Sequence, residues 1–174
     1  PTVADSLSYI KGLRPKKKIA AAFGSYGWSG ESVKLINKEL QEMKFDLVDE
    51  GLNIKFVPDE GNLKECAEYG KKNGVIIGLQ HHDDFLKTAD ETIRVVKMVN
   101  SDWFSVILDV GSLRQGDPYE EIEKLLPYAS NWQIKEQVWY GTKATPIDLP
   151  KLKRIIDKTG YRGFTPVEAL GSGD

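Results

Sequence analysis

Apolar and polar positions along the chain follow two periods. Short apolar runs of strand length alternate with stretches in which apolar residues recur every three or four positions, as on a helix with one buried face. The stretch 61–80 shows both in succession. Over 62–72, Leu63, Cys66, Ala67 and Gly70 fall on one helical face, and Asn73-Gly74 supplies a stop. Over 75–79 every residue is apolar, which predicts a strand covered on both faces. That strand ends in a polar cluster over 80–84, Gln80-His81-His82-Asp83-Asp84.

The same alternation extends either way. Before the hinge, helices are predicted over 2–12 and 31–44, and strands over 19–23 and 52–57, with a glycine-rich loop at 24–30. After it, helices are predicted over 85–100, 117–128 and 149–159. Asp117-Pro118 is a specific start signal, and Pro150 and Gly160 bound the last of these helices. Strands are predicted over 104–108, 132–136 and 163–170, with a loop over 137–148. Strands separated by helices of this length predict an α/β fold in one domain spanning 1–174. Its parallel sheet has about six strands joined by right-handed crossover helices. Six strands are too few for the usual eight-stranded closure, so the sheet is expected to be open or partly closed. Unprotected edges then make a second copy of the chain the expected partner, through edge pairing or a domain swap.

Composition narrows the partners. Of 174 residues, 40% are hydrophobic and 29% charged, and the net charge of -2 gives no basis for a nucleic acid or membrane partner. Lys16-Lys17-Lys18 reads as a solvated loop. The one cysteine, Cys66, has no internal disulfide partner and reads as a buried structural thiol in a reducing compartment. No apolar run reaches the length of a membrane span and no signal peptide is visible, so a cytoplasmic, recombinantly expressed protein is expected.

The two halves offer different chemistry at their strand ends. In the first, Gly24, Ser25, Tyr26, Gly27 and Trp28 form a loop before a helix, with glycines for close backbone approach and two aromatic faces for a ring. Gly12-Leu13-Arg14-Pro15-Lys16, the loop text from Ala22 to Gly30, and Val57-Pro58 resemble the C-terminal part of a flavodoxin-like domain of the A-type flavoprotein (flavodiiron) kind, over residues 1–72. The resemblance implies that residues 24–28 lie beside a flavin ring, with FMN as cofactor. The phosphate-binding loop that follows the first strand in that family has no counterpart in this sequence.

In the second half, strand ends present Gln80 and His82, then Asp109, then Gln133 and Glu136, then Glu168. This is the usual layout of a barrel active site. The text at 79–82, Leu108-Asp109-Val110-Gly111, Gln133-Ile134-Lys135-Glu136 and 166–170 resembles the C-terminal half of a sugar phosphate isomerase/epimerase TIM barrel of the xylose-isomerase-like type, over residues 73–174. The resemblance implies a divalent metal at Gln80, Asp109, Gln133 and Glu168, where the family commonly carries Glu, Asp, His and Glu. Two of the four are neutral amides here. It also places His82 near substrate, and Lys135 stands where a strand-end charge meets a phosphate. Glu168, beside a metal held by Asp109, is the best pair for enolising a sugar. His81 and His82 read together as a solvated rim.

Two family resemblances that meet inside one helix imply an engineered chimera of two folds, with no evolved catalytic activity expected. The alternative is residual phosphate, flavin or divalent-metal binding at the strand ends, with sugar phosphate isomerase/epimerase-like chemistry.

Overall fold

A computed structural model describes residues 2–83 and 85–169. Asp84 of the polar cluster and Leu170 at the end of the last expected strand lie outside the described residues. The chain falls into two compact units, Pro1–Tyr69 and Gly70–Asp174.

The first unit holds α1 (Thr2–Leu13), β1 (Ile19–Ala20), β2 (Phe23–Tyr26), α2 (Ser32–Glu42), β3 (Asp46–Leu47) and β4 (Leu52–Lys55), and helix α3 (Glu60–Asn73) begins in it. β1 runs parallel to β3, and β2 parallel to β4. The strand expected over 19–23 is thus two short strands, for a backbone reason. Val48 N–H donates to the Ala20 carbonyl and Leu52 N–H to the Ala22 carbonyl. Donors four residues apart meet acceptors two residues apart, and the surplus bulges out over 48–51. Gly51 closes the bulge at φ 91°, and Asp49 Oδ1 accepts its N–H at 2.8 Å. A Cβ at Gly51 would stand 2.4 Å from the Ala22 carbonyl oxygen and 2.6 Å from Val33 Cγ1. Gly51→Ala is therefore expected to destabilise this unit by about 2 kcal/mol. Faster amide exchange in β2 and β4, with none in the second unit, is the readout.

Burial departs from expectation here. Ile19 and Phe23, at the two ends of the apolar run over 19–23, are 75% and 76% exposed. α2 buries Val33 and Leu40 and packs on β2, β3 and α1. An apolar run shows that a strand can be covered on both faces, not that it is.

The second unit is built on β5 (Ile77–Gln80), β6 (Phe104–Asp109) and β7 (Ala129–Gln133), a parallel sheet in the order β5-β6-β7. β6 is central, and Phe104, Val106 and Leu108 alternate into the core. Gly78 of β5 is needed because a Cβ there would stand 2.6 Å from Ile107 Cγ1. Helices α4 (Ala89–Val99), α5 (Pro118–Leu125) and α6 (Leu149–Thr159) supply the crossovers. The helix expected from residue 85 begins at Ala89, because Thr88 and Glu91 form a capping box. α5 and α6 begin at Asp117 and Asp148 caps with proline in the first turn, and Gly160 ends α6 at φ 69°. Val106, Leu108, Ile122, Leu125, Trp132 and Val138 are fully buried in the core.

Two features of this unit were not expected. Residues 137–148, read as a loop, contain an antiparallel hairpin of β8 (Gln137–Tyr140) and β9 (Lys143–Pro146), with Gly141 at φ 63° in its two-residue turn. The last expected strand, over 163–170, is recorded as bridges from Phe164 to Asn131 and from Val167 to Ile134, both parallel. Among the described residues the α/β class, the parallel pairing and the six α-helices follow the sequence reading, but the parallel strands form separate ladders, β1-β3, β2-β4 and β5-β6-β7, rather than one sheet of about six. Among the described residues no ladder closes into a barrel.

Candidate functional site

In the second unit the parallel strands deliver their C-terminal residues to one end. β5 ends at Gln80, β6 at Asp109 and β7 at Gln133. Beyond β7 the chain stays extended. Ile134 N–H donates to the Pro166 carbonyl at 2.9 Å, and Glu168 N–H to the Ile134 carbonyl at 2.8 Å, which sets Glu168 beside Lys135. Lys135 lies two residues past Gln133 and so faces the same side.

The four positions pair off in two groups. Gln80 Nε2 donates to Gln133 Oε1 at 3.0 Å. Lys135 Nζ lies 3.0 Å from Asp109 Oδ2 and 3.5 Å from Glu168 Oε2. The lysine expected to meet a phosphate is thus held by the two carboxylates of the site. Asp109 is 1% exposed. Its Oδ1 accepts Gly111 N–H at 2.8 Å, and its Oδ2 accepts the Ser112 hydroxyl at 3.1 Å. Gly111 leaves room for Lys135, since a Cβ there would stand 2.8 Å from Lys135 Cδ.

His81 differs from its sequence reading as a solvated rim residue. It is fully buried, and its Nε2 accepts the Asp109 backbone N–H at 3.1 Å. Burial pushes its pKa down to about 4, against the opposing pull of the Asp109 carboxylate. The neutral ring therefore carries its proton on Nδ1, which has no hydrogen-bond partner among the described residues. The neighbouring His82 is exposed, with Nδ1 3.2 Å from Asp83 Oδ1. The difference is a matter of strand alternation: consecutive residues past β5 point to opposite sides.

A cavity of about 190 Å³ opens at this end, lined by His82, Gly111, Ser112, Arg114, Lys135, Glu136, Gln137, Trp139 and Glu168. Arg114 stacks on the Trp139 ring at 4.4 Å, and its Nε lies 3.0 Å from Asp83 Oδ2. Trp139 and Arg114 were missed in the sequence. The available signal was the alternation of Val138 and Trp139 ahead of Gly141, which marks a half-buried hairpin strand.

The donors do not fit a divalent metal. An ammonium stands between the two carboxylates, and the Gln133 amide oxygen already accepts from Gln80. Among the described residues no group of three or more His, Cys, Asp or Glu is arranged to hold an ion.

In the first unit, Gly24, Ser25 and Tyr26 belong to β2 rather than to a loop. Trp28 is 93% exposed. The concave side near Gly27 is taken by the Phe56 ring, and that near Gly30 by the Tyr26 ring. Asn53 Nδ2 donates to the Gly30 carbonyl at 2.7 Å. Residues 24–30 carry no charged side chain. The segment offers flat faces to a ring, and no charged group for a phosphate.

Two family models divide the chain near the boundary between its two units. Residues 61–172 match the xylose isomerase-like TIM barrel family model, and residues 2–70 match the flavodoxin family model. A rubredoxin-oxygen oxidoreductase of Megalodesulfovibrio gigas is 49% identical over 71 residues, which is 39% of this chain and 18% of that protein. A nitric oxide reductase of Moorella thermoacetica is 40% identical over 73 residues, 41% of this chain and 18% of that protein. The chain thus spans under a fifth of the length of these relatives. Among solved structures, an AP endonuclease family 2 protein from Brucella melitensis matches 83% of this chain and 62% of its own, with a TM-score of 0.55 at 20% identity. A xylose isomerase-like TIM barrel protein from Mycobacterium smegmatis, in complex with magnesium, matches 97% of this chain and 60% of its own, with a TM-score of 0.54 at 20% identity. At these identities the likeness is one of fold.

Proposed function

Because the chain belongs, over residues 61–172, to the xylose isomerase-like TIM barrel family, we propose that it is an engineered α/β scaffold in which a piece of that barrel continues a flavodoxin-like piece. It has no evolved catalytic activity. The observation that carries this reading is the junction. The two family matches overlap at 61–70, inside the single helix α3, with no linker between them. Both folds repeat one right-handed strand–helix unit, so a helix at the end of one piece serves as the crossover into the next. The state of the strand ends supports the reading, since Lys135 neutralises the carboxylates that metal-assisted sugar chemistry would use.

A second reading rests on the cavity. Glu168 Oε2 is buried there without a hydrogen bond, beside Trp139 and His82. On that reading the chain retains divalent-metal or phosphate binding and weak isomerase-like chemistry at the strand ends, or FMN binding at residues 24–28. Self-association is a further proposal. Phe164 and Val167, 80% and 79% exposed, lie on a segment that pairs with β7 on one side and leaves an edge for a second copy. Sedimentation at several concentrations tests it.

Calorimetric titration with Mn²⁺ and FMN, alongside a sugar phosphate isomerisation assay, decides between the two functional readings. The scaffold reading expects neither ligand to bind at micromolar concentration and no turnover. Micromolar binding with turnover abolished by Glu168→Ala establishes the second reading instead.

A further inference from the structure

We infer that the first unit carries a binding site for a polyphosphate chain, in a basic cleft between the C-terminal ends of α1 and α2. Neither functional reading above uses these residues. The cleft has a volume of about 430 Å³ and is lined by Lys11, Arg14, Lys16, Lys17, Glu42 and Lys44. That volume falls in the range of about 300–1,000 Å³ usual for small-molecule pockets. Strand pairing builds it. β1 runs parallel to β3 with Ile19 opposite Asp46, and Asp46 N–H donates to the Lys18 carbonyl at 2.9 Å. The loops that lead into these strands, 14–18 and 43–45, are therefore brought side by side. They lie at the opposite end of the strands from residues 24–28.

The charge of the cleft is unbalanced. Glu42 is engaged by Lys11 Nζ at 3.0 Å, and the same ammonium lies 3.3 Å from Glu39 Oε2. Among the described residues Arg14, Lys16, Lys17 and Lys44 form no ion pair. Four like charges around one concavity repel one another, although the chain as a whole has a net charge of -2. A compact polyanion relieves that repulsion. The backbone carries a second sign. Arg14, Lys17 and Lys44 sit at φ 49°, 52° and 62°, where glycine is favoured and a side chain is strained. A cation stands at all three turns instead. Arg14 offers a planar fork that matches phosphate oxygens, and the lysines add point charges. Among the described residues no aromatic side chain lines the cleft, so a base finds no stacking face there. Several cations without a ring platform suit a chain of phosphates rather than a nucleic acid.

Calorimetric titration of the full chain with tripolyphosphate, orthophosphate, ATP and a single-stranded DNA oligonucleotide tests this. Tripolyphosphate is expected to bind one-to-one with a Kd of about 10⁻⁴ M at low salt, at least about tenfold tighter than orthophosphate. Raising the salt to about 0.5 M is expected to weaken it about tenfold. ATP is expected to bind no more tightly than tripolyphosphate, because only its phosphates find partners. Two double variants remove cations from the cleft: Arg14→Gly with Lys44→Gly, and Lys16→Gln with Lys17→Gly. Glycine suits the positive φ at 14, 17 and 44, so both are expected to fold, as circular dichroism checks. Each is expected to bind about tenfold more weakly, roughly threefold per exposed cation. Lys34→Gln with Lys55→Gln removes two exposed lysines outside the cleft and is expected to change nothing. Absence of tripolyphosphate binding at about 1 mM overturns the proposal, and so does an equal loss in the Lys34/Lys55 variant. Tighter binding of the oligonucleotide than of tripolyphosphate overturns it in favour of a nucleic-acid surface. Cleft variants that lose stability yet keep their binding overturn it too, since the cations then serve only the carbonyl ends of α1 and α2. If one double variant is unfolded, the other decides.

Discussion

Asp109→Ala is expected to cost the second unit about 3–5 kcal/mol, the cost of stripping one partner from a buried charge pair. Three losses coincide. The Lys135 ammonium loses its nearer carboxylate. Gly111 N–H and the buried Ser112 hydroxyl lose their acceptor, so the turn after β6 is no longer capped. The methyl group also leaves a void beside the core strand. Asp109→Asn retains the shape and an acceptor oxygen, so it is expected to cost less. Adding Lys135→Met to Asp109→Asn is expected to restore part of the loss, because the unbalanced ammonium goes with it. Urea unfolding followed by tryptophan fluorescence measures the series, with Trp132 buried in the unit concerned. A loss below about 1 kcal/mol for Asp109→Ala would mean that the pair is not sealed from water as its burial implies.

Acidification is expected to destabilise the second unit through His81. The folded state holds the imidazole neutral down to a pKa of about 4, whereas an unfolded histidine titrates near its ordinary value of 6.5. Between those values the unfolded chain binds the extra proton, so folding stability falls as pH falls. The contribution is fully present above pH 6.5 and is lost progressively toward pH 4, to a total of about 3 kcal/mol. His81→Gln carries no titrating ring and keeps an oxygen that can accept the Asp109 N–H. Its unfolding free energy, measured at intervals from pH 7 to pH 4, is expected to fall less steeply than that of the unaltered chain. Parallel curves for the two proteins would remove His81 as the source.

The sequence carried the helix starts well, because caps are local chemistry. Asp117-Pro118 and the Pro150–Gly160 pair needed only neighbouring residues to be read, and both stand where expected. β6 was equally legible, since its apolar run lies at the centre of the sheet. What failed was whatever depends on a distant partner. The bulge at 48–51 exists because two strands differ in length between shared hydrogen bonds, which neither strand shows alone. The hairpin at 137–146 was hidden by its composition, in which lysine, threonine and glycine read as loop. At the candidate site the polar strand ends stood out by residue type, and the family resemblance singled out four of their positions. Their pairing was not, because that Lys135 meets Asp109 rather than solvent depends on how the chain between them folds.

The hairpin also makes the cavity wall replaceable. Gly141 and Thr142 at its tip are exposed, and a Cβ at Gly141 meets nothing within 4 Å. Trp139, farther down the same hairpin, lines the cavity, and Val138 next to it anchors in the core. Randomised segments grafted at the tip can therefore lengthen or re-charge the rim while the anchor holds, giving a display platform whose recognition surface varies independently of its support.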